Sequence, residues 1–236
     1  MKATGLRPDE VGSGYDPTNP YEGRDPRFEL SIAKNGDEKW PNWNETPLQT
    51  YQGGLHGEPL TGGTPTGYYL KKYCQAAIDL RAGKATKFKH TWITYRLGEF
   101  YLNYAEAVFK YLGDAYAVSS EFPISAAEAV NQTRRRVGMP DVPLELTPDG
   151  FWQKYQNERM VELAFEGHRF WDVRRWKEAD KFFKSIDQMK ITRNTDGTFV
   201  YTRKTVNRIW EDKMYLFPIP QKERMKNPNL TQNPGW

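Results

Sequence analysis

ERMVELAFEGHRFWDVRRW, Glu158 to Trp176, is the most densely charged stretch of this 236-residue chain. Glu158, Glu162 and Glu166 stand at i, i+4 and i+8, so one helical face carries three carboxylates. Like charges at that spacing repel slightly unless cations intervene. Arg159, Arg169, Arg174, Arg175 and the Arg134–Arg136 run supply cations, and arginine's planar fork suits partly buried carboxylates. Two readings follow. Two of the glutamates would form the carboxylate pair of a glycoside hydrolase. Alternatively, Glu158, Arg159, Glu162, Glu166, Arg169, Asp172, Arg174 and Arg175 form a structural ion-pair network that locks two helices across a turn at Gly167. The second is favoured, because such networks gather charges with no catalytic role. No catalytic residue is assigned, and His168 at the turn reads as a hydrogen-bonded structural residue.

Outward from this stretch the pattern stays helical. Thr147-Pro148-Asp149 opens a helix running to Phe165–Gly167, with Pro in the first turn. A further helix is expected from about His168 to Lys184. Upstream, Leu97, Phe100, Tyr101, Tyr104, Val108, Tyr111 and Leu112 form a 3.6-residue stripe closed by Gly113. Ser125 with Glu128 three positions on is a capping box, and that helix stops at Gly138 with Pro140 beyond it. Trp92, Trp152, Trp171 and Trp176 fall on helical patterns and read as core. Lys190 to Thr205 alternates weakly around Thr195-Asp196-Gly197, which predicts a small hairpin. Tyr215 to Pro220 is too Pro-rich for a central strand. The helix pairs 97–112 with 125–137 and 148–166 with 168–184 suit a solenoid-like stack, without a repeat of fixed period.

The beginning of the chain differs. Residues 1–67 hold 11 of 19 Gly and 8 of 16 Pro, with 6 basic and 10 acidic residues, net −4, leaving +8 on the remainder. Tyr15 to Pro26 and Gly53 to Gly67 are dense in turn chemistry. The expected fold is therefore mainly α, a single domain over 1–236. It has a long loop-rich N-terminal segment (1–85) and a helical body (86–236) with a small hairpin near 190–205.

Composition narrows the classes. Leu, Ile, Val and Phe total 45 residues, about 19%, near the level where chains fail to fold. Aromatics at 14% and a net charge of only +4 oppose disorder. Much of the core must be aromatic. No run of roughly 18 apolar residues exists to span a membrane, and no apolar run follows Met1–Gly5 as a secretory signal would require. Cys74 alone excludes an intramolecular disulfide framework and a multi-cysteine metal site. His56, His90 and His168 match no metal-ligand spacing. The basic residues are interleaved with acids rather than gathered on one face, so no nucleic acid partner is expected. Phosphate cradles and nucleophile elbows are lacking, and no cofactor is implied.

Trp40-Pro41-Asn42-Trp43-Asn44 is the most suggestive loop motif. Two indoles framed by amides offer flat apolar faces beside donors and acceptors, the mixture a binding site needs. Sugars present C–H faces and hydroxyl edges, so Trp40, Asn42, Trp43 and Asn44 are the candidate glycan-binding residues. The competing reading is that both rings staple the loop to the helices.

Several stretches resemble the SusD/RagB family of outer-membrane glycan-binding lipoproteins. They are Asn19 to Phe28 (NPYEGRDPRF), Gly67 to Tyr73 (GYYLKKY), Tyr95 to Ala107 (YRLGEFYLNYAEA), Arg136 to Pro140 (RVGMP), Glu158 to Trp176, and Leu216 to Pro220 with Asn227 to Gly235. Six ordered matches reach from residue 19 to 235 and cover nearly the whole chain. The resemblance implies a surface protein of the Bacteroidetes outer membrane, anchored by a lipidated N-terminal cysteine and capping a SusC-like TonB-dependent transporter. Such proteins capture oligosaccharides or polysaccharides, in some members peptides, and pass them on without chemistry. A mainly helical fold with TPR-like helix pairs is implied too. Relative to that pattern the chain is expected to be a C-terminal portion, without the signal peptide, the lipid anchor or much of the N-terminal half. Cys74 is interior and is not the anchor. No ligand residue carries over by motif, since the family's ligand residues sit in variable loops. A transporter-docking or structural role, with the ligand site elsewhere, is the alternative.

Overall fold

The aromatic and alanine positions of three helices build the core of the computed structural model, which describes residues 1–38 and 40–236. α2 (Leu97–Leu112), α3 (Ala126–Arg135) and α4 (Pro148–Glu162) pack together through Leu102, Val108, Phe109, Val130, Phe151 and Tyr155, all buried. α3 turns Ala126, Ala127 and Ala129 inward, and small contact residues let helix axes approach closely. The buried Tyr155 hydroxyl donates to Leu102 O at 3.0 Å and to Glu106 Oε2 at 2.8 Å. Trp152 stacks on Tyr155 with centroids 5.1 Å apart and meets Trp176 edge-on at 5.3 Å.

The helix ends follow the expected chemistry in part. Gly113 closes α2 in the left-handed conformation, at φ 73. Ser125 caps α3 by accepting from Glu128 N at 3.1 Å, yet the Glu128 carboxylate turns to Gln132 and Arg135. Thr147 caps α4 through Gly150 N. α4 ends at Glu162, earlier than the periodicity predicts, because Phe165 and Gly167 adopt φ 63 and 83. The helix expected over 168–184 is two pieces, α5 (His168–Arg175) and α6 (Ala179–Phe182), split where Lys177 takes φ 59. The Ala179 N–H freed there donates to Tyr215 Oη at 3.0 Å. Trp92 and Trp171 are corrected as core residues, at 76% and 60% exposure. Trp92 lies outside any helix and stacks on Tyr73.

The loop-rich segment contains α1 (Pro26–Ser31) and a two-stranded antiparallel sheet, β1 (Ile32–Lys34) with β2 (Tyr68–Leu70), paired Ile32 to Leu70. The hairpin is longer than expected, β3 (Ser185–Arg193) with β4 (Phe199–Asn207), in register from Ser185–Asn207 to Arg193–Phe199. Asp196 stabilises its turn by accepting from Thr198 N at 2.9 Å. α7 (Gln221–Lys226) lies in the tail, which forms no strand among the described residues. The fold is thus helix-dominated with two small sheets, and no described helix is long and apolar enough to cross a membrane.

The hairpin is stitched to the N-terminal loops by Met189 N donating to Thr66 O at 2.9 Å and Gln52 N to Ile191 O at 2.8 Å. Gly67 makes this approach possible. Its φ is 81, and a Cβ there would lie 2.4 Å from Met189 O. Gly67→Ala is expected to cost about 1–3 kcal/mol from left-handed backbone strain, plus the displacement of β3. Chemical denaturation would check this; an unchanged midpoint would show that the close approach is not needed.

Candidate functional site

α4 turns Glu158 and Glu162 inward, and the turn after it supplies Glu166. Glu158 is fully buried. Its Oε1 accepts from Arg27 Nη1 at 2.5 Å and Thr133 Oγ1 at 3.1 Å, and its Oε2 accepts from Arg134 Nη1 at 3.0 Å. Glu162 accepts from Arg27 Nη1 at 2.8 Å, Arg96 Nη1 at 2.5 Å and Arg136 Nη2 at 3.0 Å. Glu166 accepts from Arg96 Nε and Lys72 Nζ, each at 2.7 Å. Asp25 caps α1 and holds Arg27 Nε at 3.0 Å and Nη2 at 2.7 Å. Arg27 therefore sits among three carboxylates.

Burial pushes the Glu162 and Glu166 carboxyls up, but hydrogen bonds from Arg96, Arg27 and Lys72 outweigh it and hold both below the usual glutamate value. Asp25 is held down in the same way by Arg27. A glycosidase proton donor needs the opposite, a carboxyl raised towards neutrality and open to substrate. These carboxylates are ionised and engaged by cations inside the fold, and they hold it together.

A second network joins α2, α4 and α5. Arg159 Nε donates to Asp172 Oδ2 at 2.6 Å and its Nη1 to Asn103 Oδ1 at 2.8 Å. Arg175 Nη2 reaches Asp172 Oδ1 at 3.1 Å and Glu106 Oε2 at 2.9 Å, while Trp176 Nε1 donates to Glu106 Oε1 at 3.0 Å. Arg169 and Arg174, grouped with the network in the sequence, stand outside it among the described residues. The Asp172 oxygens are already taken by Arg159 and Arg175. Arg174 lies about 200° round the helix from Asp172, and instead donates to the carbonyls of Met214 and Tyr215. His168 Nε2 lies 3.6 Å from Glu99 Oε2.

Asp25, Arg27, Lys72, Arg96 and Glu106 were not legible as network members. Asp25-Pro26 carries a local signal, a capping aspartate before a first-turn proline. Nothing in the sequence pairs Arg27 with a glutamate 131 positions away.

The Trp40–Asn44 loop lies on the 71–81 stretch. Asn42 N donates to Ala76 O at 2.9 Å, and Trp43 Nε1 donates to Ile78 O at 3.1 Å. Arg81 stands over the Trp43 ring at 4.8 Å and Lys71 over the Trp40 ring at 5.7 Å. Both indoles and Asn44 are half-buried, while Asn42 is exposed. Asn44 N donates to Pro41 O, which closes the loop on itself. All four candidates are thus brought together, outside the lining of the chain's 650 Å³ cavity. That cavity lies between the N-terminal loops, α4, α6 and the hairpin, and its lining includes Arg24, Gln153, Arg169 and Tyr201.

The arrangement is that of a helix-based scaffold whose loops are pinned by internal ion pairs. A family model described as the SusD family matches residues 3–236, and the chain belongs to that family. A SusD-like protein from Bacteroides fragilis is 32% identical with a TM-score of 0.76, over 92% of this chain and 40% of its own. A SusD-like carbohydrate binding protein from the same organism is 24% identical with a TM-score of 0.66, over 98% of this chain and 46% of its own. A SusD superfamily protein from Bacteroides vulgatus, 23% identical over 92% of this chain and 41% of its own, has a TM-score of 0.56. The chain therefore spans less than half the length of each of these proteins. No curated protein matches it.

Arg27→Met leaves Asp25, Glu158 and Glu162 short of a shared cation, and is expected to cost about 3–5 kcal/mol in denaturant unfolding. The carboxyls held low in the fold set the sign of the acid response. Their stabilisation is complete above the ordinary glutamate value of 4.5, and is lost as pH falls through the lower folded values. A stability that stays flat through that acid range would remove the ion pairs from the account.

Proposed function

We propose that the chain belongs to a non-catalytic nutrient-binding protein of the bacterial outer-membrane surface. It captures an oligosaccharide or polysaccharide and delivers it to a SusC-like TonB-dependent transporter. Membership of the SusD family over residues 3–236 carries this reading, and the carbohydrate-binding description of one B. fragilis relative agrees with it. Attachment to the membrane is through a lipid anchor in the full-length protein. The interior position of the glutamates supports binding without chemistry.

In this reading Trp40 and Trp43 stack on sugar C–H faces while Asn42 and Asn44 hydrogen-bond hydroxyls. The half-exposed rings and the exposed Asn42 amide support it. The second reading, docking of the transporter with ligand chemistry elsewhere, has an observation of its own. Leu97, Phe100 and Tyr111 of α2 are 66%, 58% and 74% exposed, and Trp92 and Tyr95 lie exposed just before them. An apolar surface of that kind marks an interaction site.

Affinity electrophoresis through gels holding soluble polysaccharides separates the two. Retardation by a glycan that disappears in Trp40→Ala/Trp43→Ala is the expected result. Retardation of the full-length protein that persists in the double variant would move the ligand site away from this loop and leave docking as the role of the chain.

A further inference from the structure

The 650 Å³ cavity falls within the roughly 300–1,000 Å³ of small-molecule sites, and its charges are unbalanced. Arg7, Arg24, Arg169, Lys181 and Arg203 line it against only Asp9 and Asp187. Both acids are already engaged, Asp9 by Arg7 and Asp187 by Arg203, each at 2.5 Å. Lys181 pairs with Glu178 at 3.1 Å. Arg24 and Arg169 remain. Arg24 Nε and Arg169 Nη1 are buried with no hydrogen-bond acceptor among the described residues.

Neither guanidinium is loosely placed. Arg169 lies over the Phe182 ring at 4.0 Å, and Arg24 lies over Phe28 at 5.1 Å while its Nη1 donates to Pro20 O. Burial lowers the pKa of Arg169, with Asp172 and Glu178 offsetting part of the effect. Buried charged donors without an acceptor are rare and costly. Those two atoms are closed off from the cavity, but the guanidiniums that carry them line its wall in an excess of basic side chains, and their remaining N–H groups suit an acceptor that carries negative charge. A carboxylate, like a phosphate, presents paired oxygens that match the arginine fork, and it is the acid group built into a uronic sugar. Tyr201 and Gln153 also line it, with a ring for a sugar's C–H face and an amide for its hydroxyls.

We propose that this cavity binds the carboxylate of an acidic sugar, which makes a uronate-bearing glycan the ligand class of the binding function proposed above. The inference rests on that function. Titration calorimetry at low salt tests it with short oligogalacturonides, their methyl esters and sodium sulfate. The acid form is expected to bind about tenfold or more tighter than the ester, a difference of about 1.4 kcal/mol. Arg169→Gln removes that preference with an unchanged melting temperature. Where Arg169→Gln itself lowers the melting temperature, Arg24→Gln gives the same reading.

Equal binding of acid and ester overturns the inference and leaves glycan binding standing, as does a preference that survives both variants. Sulfate binding as tightly as the oligogalacturonide also overturns it, by reducing the site to one for simple anions. If neither form binds while a neutral polysaccharide retards the chain in gels, the acidic class alone is wrong. If no glycan of any kind binds, the binding function falls with it.

Discussion

A carboxylate taken out of water must be given cations, and Glu158 and Glu162 draw theirs from three distant parts of the chain. Arg27 comes from the first loop-rich stretch, Arg96 from the start of α2, and Arg134 and Arg136 from the end of α3. One face of α4 thereby fixes where four otherwise separate segments meet. A buried ion pair adds little net stability over a well-packed apolar substitute, but losing one partner is severe. The network accordingly works as a specification of arrangement. The loops of residues 1–36 have little core of their own, and Arg27 ties them to the interior of the helical body.

Aromatic packing supplies what the aliphatic side chains do not. Phe109, Phe151, Trp152, Tyr155 and Trp176 form one continuous set of ring contacts across α2, α4 and the end of α5. Their polar atoms are satisfied by Glu106, Glu178 and the Leu102 carbonyl. Rings and ion pairs therefore share partners, with Glu106 receiving both Tyr155 and Arg175. The hairpin is held to the N-terminal loops by backbone hydrogen bonds at Thr66 and Ile191, and the cavity lies between those loops, the hairpin and the helices.

Local chemistry in the sequence foretold the parts that local chemistry controls. The span of α2 and its Gly113 stop, the Ser125 and Thr147 caps and the Asp196 turn all depend on neighbours within a few residues, whereas Leu97, Phe100 and Tyr111 of the α2 stripe face outward. Periodicity misjudged the 168–184 stretch because nothing in its pattern announces a left-handed Lys177. Trp171 is exposed for a different reason: a helical stripe does not say which side is covered. The network was half legible. The glutamate face and the Arg134–Arg136 run stand out, whereas Arg27 and Arg96 are single cations with no nearby acidic pattern to mark them as partners of α4. The arginine-lined cavity gathers residues from the N-terminal loops, β2, α4, α5, α6 and the hairpin, and has no local signature.

Native-state hydrogen exchange tests most directly whether the ion pairs join the loops to the body. If they do, the Arg27 and Phe28 amides, which donate to Asp25, will open only with the amides of Phe151 to Arg159, at the free energy of global unfolding. Exchange of residues 25–31 through a separate opening of much lower free energy would show that α1 is a detachable surface loop, contradicting the central role given to Arg27.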